Sequence, residues 1–181
     1  DDKNKRHAIP KPLNPSILNK EYFRLLDRIE KIKNDGIKRP DFFNINFWFK
    51  EDVLIKLAKI KKAINKIEQE NIRNFFFAAF SETVRHSSNT KNGEFKLVKM
   101  PADKLKNYNP DVVHIFKRKV ESNIQAMEEF YKNVDKNTWV KVIHGDSSKE
   151  NGIKDNSIDC IITSPPYGDS RTTVAYGQFS R

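Results

Sequence analysis

The feature that most constrains the fold is the helical spacing of apolar residues between positions 14 and 138. From Val53 to Ile67, apolar residues recur at steps of four and three, which places them on one face of a helix. The run from Phe75 to Phe80 has no polar residue, and a helix that is apolar most of the way round is usually buried. Asn-Pro pairs at 14–15 and 109–110 are typical of helix starts. We therefore predict four helices, over about residues 14–34, 51–70, 71–86 and 109–134.

The chain changes character near residue 138. Trp139–His144 is a β-prone run followed by Gly145 and Asp146, and Ile158–Thr163 is a second apolar run. Two such runs with a short crossover fit neighbouring parallel strands of an α/β sheet. The sequence thus predicts an extended arm (1–13), a mainly helical region (14–138) and part of an α/β domain (139–181).

The formal net charge of +10 is confined to the first two regions. From Trp139 to Arg181 the chain carries five basic and five acidic residues, so the whole excess lies in residues 1–138. A basic half beside a neutral half suggests a polyanion as partner of the basic half. A lysine-rich proteome would explain the charge equally well.

Composition excludes several classes of protein. One cysteine, Cys160, cannot form a disulfide within the chain, which fits a protein of the reducing cytoplasm. No apolar run approaches the length of a membrane span, and the N-terminus does not look like a signal peptide. No spacing of Cys and His residues indicates a metal site.

The chemistry of the chain points to the loop Thr163-Ser164-Pro165-Pro166-Tyr167, which is predicted to close a buried strand. Two consecutive prolines fix two φ angles and remove two N–H donors, so the loop presents acceptors: the Ser164 hydroxyl and nearby carbonyl oxygens. An exocyclic amino group on a base needs such acceptors. Tyr167 offers an aromatic face on which a flipped base can stack. The structural alternative is a plain Pro-Pro turn at a strand end.

The segment HGDSSKENGIKDNSIDCIITSPPYGDSRTTVAYG, which covers 34 residues, resembles motif IV of the S-adenosylmethionine-dependent DNA amino-methyltransferases. The resemblance implies a class I, Rossmann-like fold, S-adenosyl-L-methionine as cofactor and double-stranded DNA as partner, in a restriction-modification system. The Ser form of the motif favours cytosine N4 over adenine N6 as the methylated atom, because the Asp form is the commoner adenine signature.

The same resemblance implies roles for individual residues. Ser164 and the Pro165 carbonyl would accept hydrogen bonds from the amino group, and with Pro166 and Tyr167 they would form the catalytic pocket. Asp146 would lie near the adenine end of the cofactor, with Thr163 also on the cofactor side. No covalent intermediate is needed, so Cys160 need not act as a nucleophile. The structural alternative for Asp146 is a helix N-cap or an Asx turn.

The chain also departs from the family. A glycine-rich Phe-x-Gly-x-Gly cofactor loop is missing, the chain stops 14 residues after Tyr167, and it does not begin with Met. We expect part of a longer enzyme, whose partners would be the missing remainder or a cognate restriction endonuclease system. The aromatic loop with Trp48 and Phe49 and the helices after it resemble a helical insert of some members, which would place the cofactor loop upstream of Asp1.

Two other functions stay open. One is amino-methylation of RNA guanine or of a protein glutamine, although those relatives usually carry Asn in place of Ser164. The other is a non-catalytic, helical nucleic-acid-binding piece with a vestigial pocket. Residues 85–88 are candidates for contact with phosphate or with the cofactor carboxylate, although an exposed helix end is the favoured interpretation.

Overall fold

The computed structural model describes residues 7–9, 12–91, 97–135, 140–143, 145–146, 149–150 and 152–163. Six helices and two short strands follow one another in these residues: β1 (His7–Ile9), α1 (Pro15–Lys31), α2 (Ile45–Trp48), α3 (Glu51–Ile64), α4 (Glu70–Ser87), α5 (Ala102–Asn107), α6 (Val112–Asn133) and β2 (Val140–Val142).

The start of α1 confirms the cap predicted from sequence. The Asn14 side chain accepts a hydrogen bond from the backbone N–H of Ser16 at 2.9 Å, and Pro15 occupies the first helical position. An Asn cap satisfies one of the N–H groups that a helix start leaves without a partner. The helix ends at Lys31, three residues earlier than predicted, and Gly36 lies in the following turn with φ 71°.

The other three long helices are present as predicted from the sequence, but some of them begin or end at different residues. α3 stops at Ile64 instead of residue 70, whereas α4 lies within one residue of its prediction at both ends. α6 is capped by Asp111, whose side chain accepts from the N–H of His114 at 3.0 Å, and not by Asn109. Pro110 disfavours helical geometry at Asn109, so the helix begins after the proline.

The core is a bundle of the four long helices. α6 contacts α1, α3 and α4, and α3 also contacts α1 and α4. Each helix contributes one apolar face, and the largest fully buried side chains are Phe76 on α4 and Phe116 on α6. Leu18, Leu25, Val53, Ile60, Ile64, Val112 and Val120 complete the fully buried set of large apolar side chains. Within the described residues, no helix is both long and apolar enough to cross a membrane.

The sheet predicted for residues 139–163 is wrong. β2 pairs with β1 in an antiparallel ladder, with His7 opposite Val142, and not with a parallel neighbour. Residues 158–163 form no regular structure, and Ile161 and Ile162 are 81% and 95% exposed. A parallel strand is stable when ladder partners and covering layers bury it, and in the described part of the chain this segment has neither. High β-propensity alone does not form a strand.

A side-chain hydrogen bond between the first and last helices of the bundle gives a pH-dependent prediction. The buried Tyr22 of α1 donates to Glu121 of α6 at 3.0 Å, and burial, followed by this bond, raises the pKa of Tyr22 well above its usual range. A raised folded-state pKa gives stability that is present below the unfolded value, near pH 10, and lost as pH rises above it.

We therefore expect the free energy of unfolding to fall between pH 10 and 11, and to fall less in Tyr22→Phe, which has no phenol proton to lose there. At pH 7 the substitution should cost only about 0.5–1.5 kcal/mol, because it removes one hydrogen bond. Urea unfolding at several pH values measures both effects. Equal alkaline losses in the two proteins would show that other groups, such as Tyr108, cause the decline.

Candidate functional site

The predicted catalytic residues Ser164, Pro165, Pro166 and Tyr167 lie outside the described residues. Thr163, the last described residue before them, is exposed and belongs to no helix or strand. The expectation that the loop follows directly on a buried strand is therefore not met on its N-terminal side.

Asp146, predicted to contact the cofactor, is exposed and follows β2. Its backbone carbonyl accepts from the N–H of Lys149 at 3.1 Å, and its carboxylate lies 3.8 Å from the Lys149 ammonium group. The side chain is 54% exposed. A carboxylate oxygen accepts hydrogen bonds from hydroxyl and amino donors of a ligand, so the exposed Asp146 is chemically able to take its predicted role.

A buried polar cluster at the end of α4 was not found by sequence reasoning. Its members are at most 3% exposed: Thr83, Ser87, Ser88, Asn89 and Thr90. The Ser88 hydroxyl lies 2.7 Å from both the Arg85 carbonyl and the Thr90 hydroxyl. The favoured interpretation of an exposed helix end is thus wrong for Ser87 and Ser88. The available signal was a run of small polar residues directly after a strongly apolar helix.

Asn89 joins this cluster to the aromatic loop, residues 42–49. Its backbone N–H donates to the Trp48 carbonyl at 2.7 Å, and its side-chain amide donates to the Phe47 carbonyl at 3.1 Å. Its backbone carbonyl accepts from the backbone N–H of Met100 at 2.8 Å. The ammonium group of Lys99 lies 4.1 Å from the centre of the Phe47 ring, a cation–π distance. One asparagine therefore fixes two loops that are distant in sequence.

Tyr108 links the same region to the connection before α6. Its hydroxyl donates to the His86 carbonyl at 2.6 Å, and its carbonyl accepts from the Lys50 ammonium group. Burial raises the pKa of Tyr108. The end of α4, the aromatic loop and the α5–α6 connection are consequently held as one unit.

Glu82, near the end of α4, pairs with two basic side chains at the surface. Glu82 contacts the Lys119 ammonium group at 2.6 Å and lies 3.6 Å from His86, and the Lys119 hydrogen bond lowers the pKa of Glu82. In the part of the chain that the structure describes, no group of His, Cys, Asp and Glu side chains could hold a metal ion.

Asn89→Asp tests how much the buried link contributes. An ionised carboxylate cannot donate to the Phe47 carbonyl, and its charge would be buried among carbonyl oxygens, so we expect a loss of about 3 kcal/mol or more at pH 7. Burial should raise the pKa of the new carboxyl, so the deficit should shrink as pH falls and the group becomes a donor. Thermal unfolding at pH 7 and pH 4 measures the change, and a pH-independent deficit would contradict the argument. Asn89→Ala is the uncharged control.

Comparisons with known proteins identify a similar chain of curated function. No protein-family model and no solved structure matches this chain. Over 147 residues, 78% of this chain, it is 48% identical to the Type II methyltransferase M.MvaI of Kocuria varians. The chain spans 32% of the length of that relative.

The likeness extends beyond the short motif that suggested it. An aligned stretch that covers 78% of 181 residues leaves only about 40 residues outside it, so it includes roughly residues 41–141 wherever it begins. Helices α3, α4 and α6 and the buried polar cluster therefore all lie in the shared stretch. Over most of its own length, including three of the four helices of the bundle, the chain is similar to a Type II methyltransferase.

Proposed function

We propose that this chain is the part of a DNA methyltransferase that carries the target-base loop together with its helical region. One observation carries the proposal: a chain 48% identical to a Type II methyltransferase over 147 residues also contains Ser164-Pro165-Pro166-Tyr167. The identity and the motif are separate arguments, because the aligned stretch necessarily includes α3, α4 and α6, whereas the motif rests on its own four residues.

The reaction assigned to the loop is direct methyl transfer to an exocyclic amino group. The Ser164 hydroxyl and the Pro165 carbonyl accept hydrogen bonds from that group, while Tyr167 stacks on the base after it has left the duplex. These bonds draw the nitrogen towards a tetrahedral form with a usable lone pair. Pro166 keeps the loop rigid, so the acceptors are in place before the reaction begins.

The proposed cofactor is S-adenosyl-L-methionine, which supplies an electrophilic methyl group on a sulfonium. Asp146 is assigned to its adenine end and Thr163 to the neighbouring part of its pocket. The chemistry of both residues suits this assignment, because the Asp146 carboxylate is accessible and Thr163 is exposed. When bound, this cofactor would supply the methyl group to the amino nitrogen and leave as a neutral thioether, and the proton that the nitrogen gives up would pass to solvent.

The proposed substrate atom is N4 of cytosine in double-stranded DNA, and N6 of adenine is the alternative. The Ser form of the loop supports cytosine. The Type II designation of the relative supports a modification enzyme paired with a restriction endonuclease. An RNA or protein substrate is disfavoured because Ser164 stands where those enzymes usually carry Asn.

Nucleoside analysis after labelling tests this function. The chain, and any longer protein that contains it, is incubated with S-adenosylmethionine carrying a deuterated methyl group and with duplex DNA of mixed sequence. We expect labelled N4-methylcytosine by mass spectrometry. Labelled N6-methyladenine would show that the substrate atom is N6 of adenine, and the proposed type of reaction would still hold. No labelled nucleoside from any of these proteins, with cofactor binding intact, would overturn DNA as the substrate.

A non-catalytic nucleic-acid-binding protein is the second candidate, and the helical fold of the described residues favours it. Duplex binding without measurable affinity for S-adenosylmethionine in any of these proteins would select this candidate.

A further inference from the structure

We infer that a basic cleft between α1 and the start of α4 binds backbone phosphates of duplex DNA. The cleft has a volume of about 300 Å³. Its charged lining consists of Lys20, Glu21, Arg24, Arg28, Lys66 and Glu68, four cations and two anions. The choice of DNA as occupant rests on the proposed function, whereas the affinity for phosphate rests on the cleft itself.

Glu21 holds two of the cations in position and leaves most of their donors available. Its carboxylate contacts Arg28 at 2.7 Å and Arg24 at 3.4 Å. A guanidinium group carries five N–H donors, so one contact to Glu21 leaves donors on each arginine for a phosphate oxygen. Because the Glu21 side chain is only 13% exposed, it fixes the arginines from below the surface.

Lys20 and Lys66 also line the cleft. In the described part of the chain neither has a carboxylate within ion-pair distance, although Lys31 of the same helix α1 pairs with Asp27 at 2.7 Å. The four cations of the lining outnumber its two anions, which gives the cleft a net positive charge. Such a surface attracts phosphate oxygens and releases condensed counterions when DNA binds.

The first turn of α4 adds to the field at the cleft. Gln69, the N-cap residue, and Ile72 both line it, and the Gln69 side chain makes no capping hydrogen bond. The first turn of this 18-residue helix therefore borders the same space as the four cations, and the helix dipole adds positive potential there. Ile17 and Ile67 form the apolar part of the lining.

The salt dependence of DNA binding tests the cleft. Fluorescence anisotropy with a labelled duplex is measured at several salt concentrations for the 181-residue chain and two double variants. We expect Lys20→Ala/Lys66→Ala to weaken binding on every DNA sequence and to reduce the slope of log K against log salt by about 2, about 1 for each lost phosphate contact.

Lys31→Ala/Lys56→Ala is the matched control, because it removes the same charge from lysines that already pair with Asp27 and Asp52. Its slope should equal that of the unsubstituted chain. None of the four lysines is buried, so circular dichroism should show equal folding. Equal slopes for both double variants would overturn the inference, as would a chain that does not bind DNA.

Two further outcomes distinguish the DNA cleft from a site for free phosphate and from the methylation reaction. Displacement of the duplex by inorganic phosphate at constant ionic strength would identify a site for free phosphate and overturn DNA as its occupant. A reduced slope in a protein that methylates nothing would support the cleft while the proposed function fails. Methylation by a protein whose two double variants have equal salt slopes would overturn only the inference that the cleft binds DNA.

Discussion

Replacing Phe116 by Ala is expected to lower the free energy of unfolding by about 3–5 kcal/mol, the largest effect on stability that we predict for a single site. Phe116 is fully buried on α6, which contacts the three other long helices of the bundle. Truncation removes the apolar surface of the ring from the core and leaves a cavity that the surrounding helices fill only in part. Because domains of this size are typically stable by about 5–15 kcal/mol, this loss would remove a substantial part of the total stability.

Phe130→Ala is the control for this prediction. Phe130 lies on the same helix but is 53% exposed, so its truncation should change the stability by about 0.5 kcal/mol or less. Chemical denaturation followed by circular dichroism compares the two variants. Similar losses would show that α6 contributes through its helical propensity and not through its buried face.

The helices could be predicted because their signals are local. Asn14 and Pro15 fix the start of α1 by a cap within one turn, and the apolar stripe of α3 is visible within 15 residues. The same signal does not fix the ends of helices: α3 stops at Ile64 even though its stripe continues to the buried Ile67. Burial continues past the last helical residue there, so the pattern of apolar residues overestimates the length of the helix.

The sheet could not be predicted because pairing depends on distant residues. The run at 140–142 forms a strand, but its partner is residues 7–9, which were predicted to be an extended arm. The run at 158–163 has equally good β-propensity and forms no strand among the described residues. Local sequence gives the preference for an extended backbone, whereas the available partner decides whether a strand forms.

The candidate site likewise has one part that the local sequence predicts and other parts that depend on distant residues. The chemistry predicted for the loop depends only on the five consecutive residues Thr163-Ser164-Pro165-Pro166-Tyr167. The buried link through Asn89 depends on the carbonyls of Phe47 and Trp48, which lie about 40 residues away in sequence. No local sequence pattern predicts these bonds. For the same reason the cleft around Lys20 and Lys66 required the packing of α1 against the chain between α3 and α4.

The largest expected effect on function is that of Ser164→Ala, which should slow methyl transfer by about 100- to 1000-fold, the usual consequence of removing one preorganised hydrogen-bonding group from a transition state. The hydroxyl is assigned as an acceptor for the amino group, and that bond strengthens as the nitrogen becomes tetrahedral and positively charged. DNA affinity should change little, because backbone phosphates supply most of the binding energy.

Ser157→Ala is the matched control, since the Ser157 hydroxyl is exposed and donates only to the nearby Lys154 carbonyl at 2.6 Å. Single-turnover transfer of a labelled methyl group, measured beside equilibrium DNA binding in the longest active protein that contains this chain, separates the rate from the affinity. A rate lost together with DNA affinity would assign Ser164 to binding. An unchanged rate would mean that the Pro165 carbonyl alone accepts from the amino group, because it is then the remaining acceptor assigned to the loop.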